Sequence, residues 1–411
     1  MSRDADGLAP PSRCRPTDEL PPLLEFRDGS PVESPADWRD RREELRRSLR
    51  HYVYGYAPEP PEIETTTERT AGVCDGAATL VETEIAFADL PTDAPSITLA
   101  VFLPSEAVAE GDAGGSVPVL LGLNWRGNHA AVDDPAVTIT DTAREYGGRG
   151  DGAADRGAAA DYWCVEHVLG RGYGFATYHL ADVDPDSGDP ADGVRPYYDD
   201  ELPGPPGTEW GVLAAWAWGL QRCVDALRPM EAVRAEAIAV LGHSRCGKAA
   251  LLAGATDERI GLVAPHQSGT GGMALDRDND QEGIGDITGT FPQWFADTYA
   301  AFDGQVDRLP VDSHSLAALV APRPLIDTAG ARDHWTNPGR ALDAVRAAEP
   351  VWELLGAEGI GDDLPLYEDD EISGETVGPL CHYRRETGHT LNQGYLDAVL
   401  DFADVHFDGT G

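Results

Sequence analysis

The stretch AIAVLGHSRCGKAAL, Ala237 to Leu251, decides how this chain is read. Ala237 to Leu241 is a short apolar run suited to a buried strand, and Lys248 to Ala255 carries the small-residue pattern of a helix. Between them Ser244 stands on a turn flanked by Gly242 and Gly247. An α/β-hydrolase needs such a sharp strand-to-helix turn, because it lifts the nucleophile's hydroxyl clear of the sheet. The following helix also aims its first amides at the oxyanion of an acyl-transfer intermediate. One departure is plain. The usual pattern is G-x-S-x-G, whereas here Cys246 takes the last glycine's place and Gly247 comes one later. An ordinary strand–turn–helix with a capping serine would have the same outline, so the rest of the chain must decide.

Working outward, strand and helix signals alternate. Val117 to Leu123, Tyr173 to Tyr178, Leu262 to Pro265, Pro324 to Ala329 and Leu380 to Arg384 read as strands. Helices are expected over Glu209 to Leu227, with its tryptophans, and over the tail Asn392 to His406. This alternation predicts an α/β-hydrolase fold, a mostly parallel sheet with helices on both faces. Ahead of it, Ala71 to Leu103 alternates like two antiparallel strands. Residues 1–70 read as an N-terminal extension packed on the core, with one helix over Ser34 to Tyr54 opened by Ser34-Pro35, and residues 71–411 as the catalytic domain. Arg144 to Asp161 and Asp182 to Pro206, rich in Gly, Asp and Pro, read as surface loops.

A serine nucleophile needs a base, and the base an orienting acid, which in this fold follow in the chain order Ser, acid, His. His382, His389 and His406 follow the last acid-bearing loop. His382 falls inside a strand and His406 in the terminal helix, which leaves His389. The acid belongs just past the strand ending at Ala329, where Asp333 stands; Asp327 lies within the strand and is the poorer choice.

Composition restricts the partners. The chain holds 72 acidic residues against 31 basic ones, a formal net charge of −41 over 411 residues. Nucleic acid and anionic membranes would be repelled. No apolar run approaches the roughly 20 residues that span a bilayer, and Met1 to Pro11 lacks the layout of a secretory signal, so a cytoplasmic protein is expected. Lys248 is the sole lysine; every other basic residue is arginine. Abundant acid with almost no lysine suits a salt-saturated medium, where at about 1 M salt the Debye length shrinks to roughly 3 Å and self-repulsion is screened. Cys14, Cys74, Cys164, Cys223, Cys246 and Cys381 form no C-x-x-C pair, which argues against zinc and for free thiols. No cofactor and no metal are expected.

Several blocks in order resemble carbohydrate esterase family 15, the glucuronoyl methylesterases, and more its bacterial than its fungal branch. They include Asp28 to Val32, Trp38 to Arg42, Gly122 to His129, Gly172 to Thr177, Asp182 to Asp186 and Ala215 to Trp218. The serine turn, Phe291 to Phe295, Leu309 to His314, Ala321 to Pro324 and Asp333 to Trp335 complete the set. The resemblance implies cleavage of uronic-acid esters, with Arg245 at the oxyanion and Lys248, Glu282 and Trp335 on the sugar. Some members carry a Glu acid at the position of Gln267, so this chain relies on Asp333 or uses Gln267 as a neutral support. Fungal members flank Ser and His with a bridged cysteine pair; here the neighbours are His243 and Thr390. Two other functions remain open: an acetyl esterase acting on xylan or pectin oligosaccharides, and a non-catalytic carbohydrate-binding member of the fold.

Overall fold

A computed structural model describes residues 7–108, 115–147, 156–189, 191–198, 202–357, 359–360, 364–374 and 376–408. Among the described residues ten strands, numbered in chain order, form one sheet in the order β1-β2-β3-β5-β4-β6-β7-β8-β10-β9. β1 (Ile63–Val73), β2 (Ala78–Phe87) and β3 (Ile97–Pro104) are antiparallel neighbours, and β3 meets β5 (Gly174–His179) antiparallel. From β5 through β4 (Val117–Asn124), β6 (Val233–His243), β7 (Leu262–His266), β8 (Leu325–Gly330), β10 (Leu380–Arg385) and β9 (Leu366–Tyr367) every pairing is parallel. Strands covered on both faces must be apolar throughout, and β5 and β7 are buried at every residue. Two apolar clusters lie on the two faces, one around Val240 and Leu251, the other around Leu241 and Phe402.

The expected strands and the mostly parallel sheet are present, with differences that have physical causes. β1 begins at Ile63, so a boundary at residue 70 falls inside a strand. Its sequence, IETTTERTAGV, has no apolar alternation because nine consecutive residues, Glu64 to Gly72, are exposed; its β-branched threonines and its ladder to β2 hold it. Charged residues on such an outer strand also discourage edge-to-edge pairing. The helix Pro35–Leu49 starts where Ser34 Oγ accepts the Asp37 amide at 3.2 Å, and the turn 50–54 continues it. The helix expected from Glu209 begins instead at Val212. The backbone at Gly211 runs against Trp294, whose carbonyl lies 2.2 Å from where a Cβ would sit. Pro338–Leu354 is a further helix, masked in the sequence by Pro350 within it.

The N-terminal lead shares the main apolar cluster through Leu23, Val32 and Trp38. Arg41 Nε donates to Leu23 O at 3.1 Å and Arg308 Nη1 to Cys14 O at 2.9 Å, which ties the lead down at both ends. The stretch 182–206, expected as a surface loop, is exposed at 187–189 but anchored at its start; residues 190 and 199–201 lie outside the described residues. Asp182 and Asp184 are buried, Asp182 accepting the Thr98 amide at 3.1 Å and Asp184 accepting Arg195 Nε at 2.7 Å. A buried carboxylate without such partners would be costly. Arg144 to Tyr146 lie in a short helix, Asp141–Tyr146, while 148–155 of the other expected loop lie outside the described residues. The six cysteines are separate thiols. Among the described residues no helix is long and apolar enough to cross a membrane.

Candidate active site

β6 ends at His243 and the helix Arg245–Thr256 begins one residue after Ser244. Ser244 has φ +58° and ψ −122°, a conformation that L-residues avoid and that tertiary packing must enforce. Two close approaches account for the altered glycine spacing. A Cβ on Gly242 would lie 2.0 Å from the Cys246 carbonyl, and one on Gly247 would lie 2.8 Å from Gly242 O and 2.9 Å from His266 O. The turn is tight against β6 and β7 at Gly247, whereas Cys246 has room for its side chain in the core, where burial pushes the thiol up to about 12. Among the described residues no backbone carbonyl receives the amides of Arg245 or Cys246. These are the orphan donors of a helix start, aimed beside the serine.

The base and acid arrive from neighbouring strands. Past β10, His389 Nδ1 donates to Asp333 Oδ2 at 2.7 Å, and Asp333 comes from the turn after β8. Asp333 also accepts Thr336 Oγ1 at 2.7 Å and the Trp335 amide at 3.2 Å. Burial pushes its carboxyl upward, but the bonds from His389 and Thr336 outweigh it and hold it below the usual carboxylate range. Asp333 is therefore an anion beneath the imidazole. That leaves Nε2 of His389 facing the cavity, which Ser244 and His389 both line. Ser244 Oγ makes no side-chain hydrogen bond among the described residues. Asp327 and His382, the passed-over pair, meet each other across β8 and β10 at 2.7 Å, fully buried in the sheet. His406 Nε2 bonds Gly378 O at 3.2 Å in the terminal helix.

Gln267 follows β7 and joins the nucleophile strand to the His389 loop. Its Oε1 accepts His243 Nε2 and the Thr390 amide, each at 2.9 Å, and its Nε2 donates to Gly388 O at 2.9 Å. The two residues flanking Ser244 and His389 are thus linked through one neutral amide. His243 Nε2 being the donor, Nδ1 accepts Tyr162 OH at 2.6 Å. The rings of His266, His243 and His389 pack in a tilted row, with centroids 4.9 and 4.4 Å apart. Burial drives His243 well below the usual imidazole range and His266 to about 4, so both stay neutral beside a base that must gain a proton.

The cavity above holds about 810 Å3 and is lined by Trp125, Arg126, Asp186, Ser244, Arg245, Lys248, Glu282, Trp294, Trp335 and His389 among others. All the residues expected at the site gather there except Asp333, which lies buried behind His389. A second concavity of about 820 Å3, walled by Thr65, Thr67 and Thr83 of β1 and β2, holds none of them. Arg245 is paired with Asp186 and lies over the Trp294 ring, 5.0 Å from its centroid. Asp186 is held in turn by Gln293 Nε2 and Trp294 Nε1, both at 2.8 Å. Lys248 is buried, and its ammonium donates to Ser268 O and to Thr270 O, the latter at 2.7 Å. That leaves one of three protons for another acceptor. Burial lowers Lys248 to about 8, against the pull of Glu282 and Asp276. Burial also raises the Glu282 carboxyl, with Lys248 opposing it. Trp335 is 68 % exposed, its ring 5.8 Å from that of His389. The sequence alone assigns no role to Asp186, Trp294 or Tyr162, because their partners lie far away in the chain, nor to Arg126, whose ring contact is with its neighbour Trp125; the blocks Gly122–His129, Asp182–Asp186 and Phe291–Phe295 are the available signal.

Known proteins resemble this one over most of its length. The model of "Glucuronyl esterase, fungi" matches residues 167–356. The carbohydrate esterase MZ0003, from an unknown prokaryotic organism, is 34% identical over 401 residues, covering 95% of this chain and 90% of that protein. A 4-O-methyl-glucuronoyl methylesterase of Phanerochaete carnosa is 29% identical over 350 residues, 82% of this chain and 73% of its own. Among solved structures, a glucuronoyl esterase from Solibacter usitatus superposes with TM-score 0.84 at 32% identity, covering 96% of this chain and 99% of that one. A promiscuous CE15 esterase from a marine bacterial metagenome gives 0.83 at 33%, covering 96% and 98%. Similarity of this extent establishes the chain as a carboxylic ester hydrolase belonging to carbohydrate esterase family 15, the glucuronoyl esterases.

Proposed function

We propose that this protein hydrolyses esters of uronic acids by acyl transfer through Ser244, with His389 as base and Asp333 as its orienting anion, in a salt-rich medium. The observation that carries the reading is the 2.7 Å contact of His389 with Asp333 in a loop that shares a cavity with a strained Ser244. His389 Nε2 removes the Ser244 proton as Oγ attacks the ester carbonyl; this contact commonly tightens only when substrate is seated. The oxyanion settles against the free amides of the helix start, with Arg245 alongside. The imidazolium returns the proton to the departing alcohol, and water repeats the sequence to release the uronic acid. Glu282 and the free Lys248 proton face sugar hydroxyls, and Trp335 offers a flat face to the ring. The test is hydrolysis of methyl or benzyl glucuronate against an aryl acetate in molar KCl, the uronate ester being the better substrate; preference for the acetate would favour the acetyl-esterase alternative.

Lys248 gives this reading a pH signature. Charged donors contribute about 1.5–3 kcal/mol, so Lys248→Ala is expected to lower kcat/KM on a uronate ester about 10- to 100-fold. In the intact enzyme KM should rise as pH passes about 8, where the ammonium is lost. The folded lysine titrates below its unfolded value, so this group alone makes folding easier between about 8 and about 10.4. A KM rise in that window therefore reports site chemistry rather than unfolding at Lys248. A KM flat across pH 7–9 would remove Lys248 from substrate binding.

The charge of −41 supports the salt-rich setting. Raising KCl from about 0.1 to about 1 M shortens the Debye length from about 10 to about 3 Å. The thermal midpoint should climb steeply over that range; a midpoint indifferent to KCl would contradict adaptation to salt.

A further inference from the structure

Three of the five large hydrophobic side chains exposed among the described residues, Trp125, Tyr146 and Trp335, line the active-site cavity. Two of them, with Arg126, form a wall that the proposed chemistry does not use. Trp125 is 42 % exposed and the Arg126 guanidinium lies over its ring, the guanidinium carbon 4.5 Å from the centroid. The other cations of the cavity are committed, Arg245 to Asp186 and Lys248 to two carbonyls beside Glu282. Arg126 has no ion pair and no side-chain hydrogen bond among the described residues. In a chain with 72 acids and 31 bases, a cavity cation without an acid partner among the described residues is conspicuous. Its contact with the Trp125 ring holds the guanidinium at the cavity, and its N–H donors make no hydrogen bond among the described residues, which suits them to a planar oxyanion.

Strand order sets which half of an ester reaches it. Arg126 follows β4, on one side of β6 and its Ser244, whereas Gln267 after β7 and Asp333 and Trp335 after β8 lie on the other. Tyr162, which bonds His243 at 2.6 Å and also meets Trp125, connects this wall to the His243 ring beside His389, the group that protonates the leaving alcohol. We infer that Trp125 and Arg126 form a subsite for the alcohol half of the substrate, and that it selects alcohols carrying an anionic group, a carboxylate or a sulfonate or sulfate. This rests on the uronate-esterase reading above. The net charge of the protein repels anionic substrates, so without a dedicated cation the neutral alcohol would be favoured.

The experiment compares benzyl, 4-carboxybenzyl and 4-sulfobenzyl glucuronates at the lowest KCl at which the fold holds. The expected kcat/KM for at least one anionic ester is about tenfold or more above that of the benzyl ester, and the better of the two identifies the oxyanion. In Arg126→Gln this ratio should fall to one or below, while Arg126→Lys, which keeps charge but loses the forked guanidinium donors, should retain part of it. A wild-type ratio at or below one, a ratio preserved in Arg126→Gln, or equal losses on all three esters in that variant would each overturn the subsite. Failure to hydrolyse any of the three would instead reject the uronate-esterase reading, and the subsite with it.

Discussion

Ser244→Ala is expected to lower kcat on a uronate ester by about 10,000- to 1,000,000-fold, with the thermal midpoint nearly unchanged. The loss is large because nothing nearby can substitute. Cys246, two residues on, is buried with its thiol held near 12, so it supplies no thiolate and no access. The amides of the helix start, Arg245 and Lys248 remain in place, so binding and oxyanion stabilisation should leave a residual rate above the uncatalysed one. Stability should hold because the Ser244 hydroxyl makes no side-chain bond among the described residues and alanine meets the same φ of +58°. Turnover surviving in a purified, folded variant would dismiss every mechanism with Ser244 as nucleophile.

Asp333→Asn is the second large expectation, a loss of about ten-thousand-fold in kcat near pH 7. An amide in place of the carboxylate can donate to Nδ1 and so favours the tautomer with its proton on Nε2, which leaves the base unable to accept from Ser244. It also removes the anion that stabilises the imidazolium. Asp327→Asn is the control, because Asp327 holds His382 by the same 2.7 Å contact inside the sheet. There the expected result is a destabilisation of about 1–3 kcal/mol with kcat of the folded enzyme retained. If Asp327→Asn abolished turnover in a folded protein and Asp333→Asn did not, the assignment of the acid would be reversed.

These two aspartates show where sequence was enough and where it was not. Both are followed by histidines at similar separations, 55 and 56 residues on. Only chain position relative to β8 distinguishes them, since a residue past the carboxyl end of a strand reaches the cleft and one within it does not. The parallel strands were legible for a related reason, as burial on both faces leaves an unbroken apolar run. β1 was not, because its stability comes from backbone ladders and threonines rather than from a buried face. The helix Pro338–Leu354 was hidden by Pro350, and the Asp186–Arg245 pair by a separation of 59 positions. The extra residue before Gly247 became intelligible only from backbone separations, which no composition encodes.

The most direct measurement is labelling with a fluorophosphonate followed by peptide mapping. An activated serine, with an acid–base pair behind it and oxyanion donors beside it, should give one adduct, at Ser244 in the tryptic peptide 235–245, with activity lost in proportion and labelling slowed in His389→Ala. An adduct elsewhere that accounts for the lost activity, or full labelling of Ser244 in an enzyme that still turns over, would contradict the mechanism.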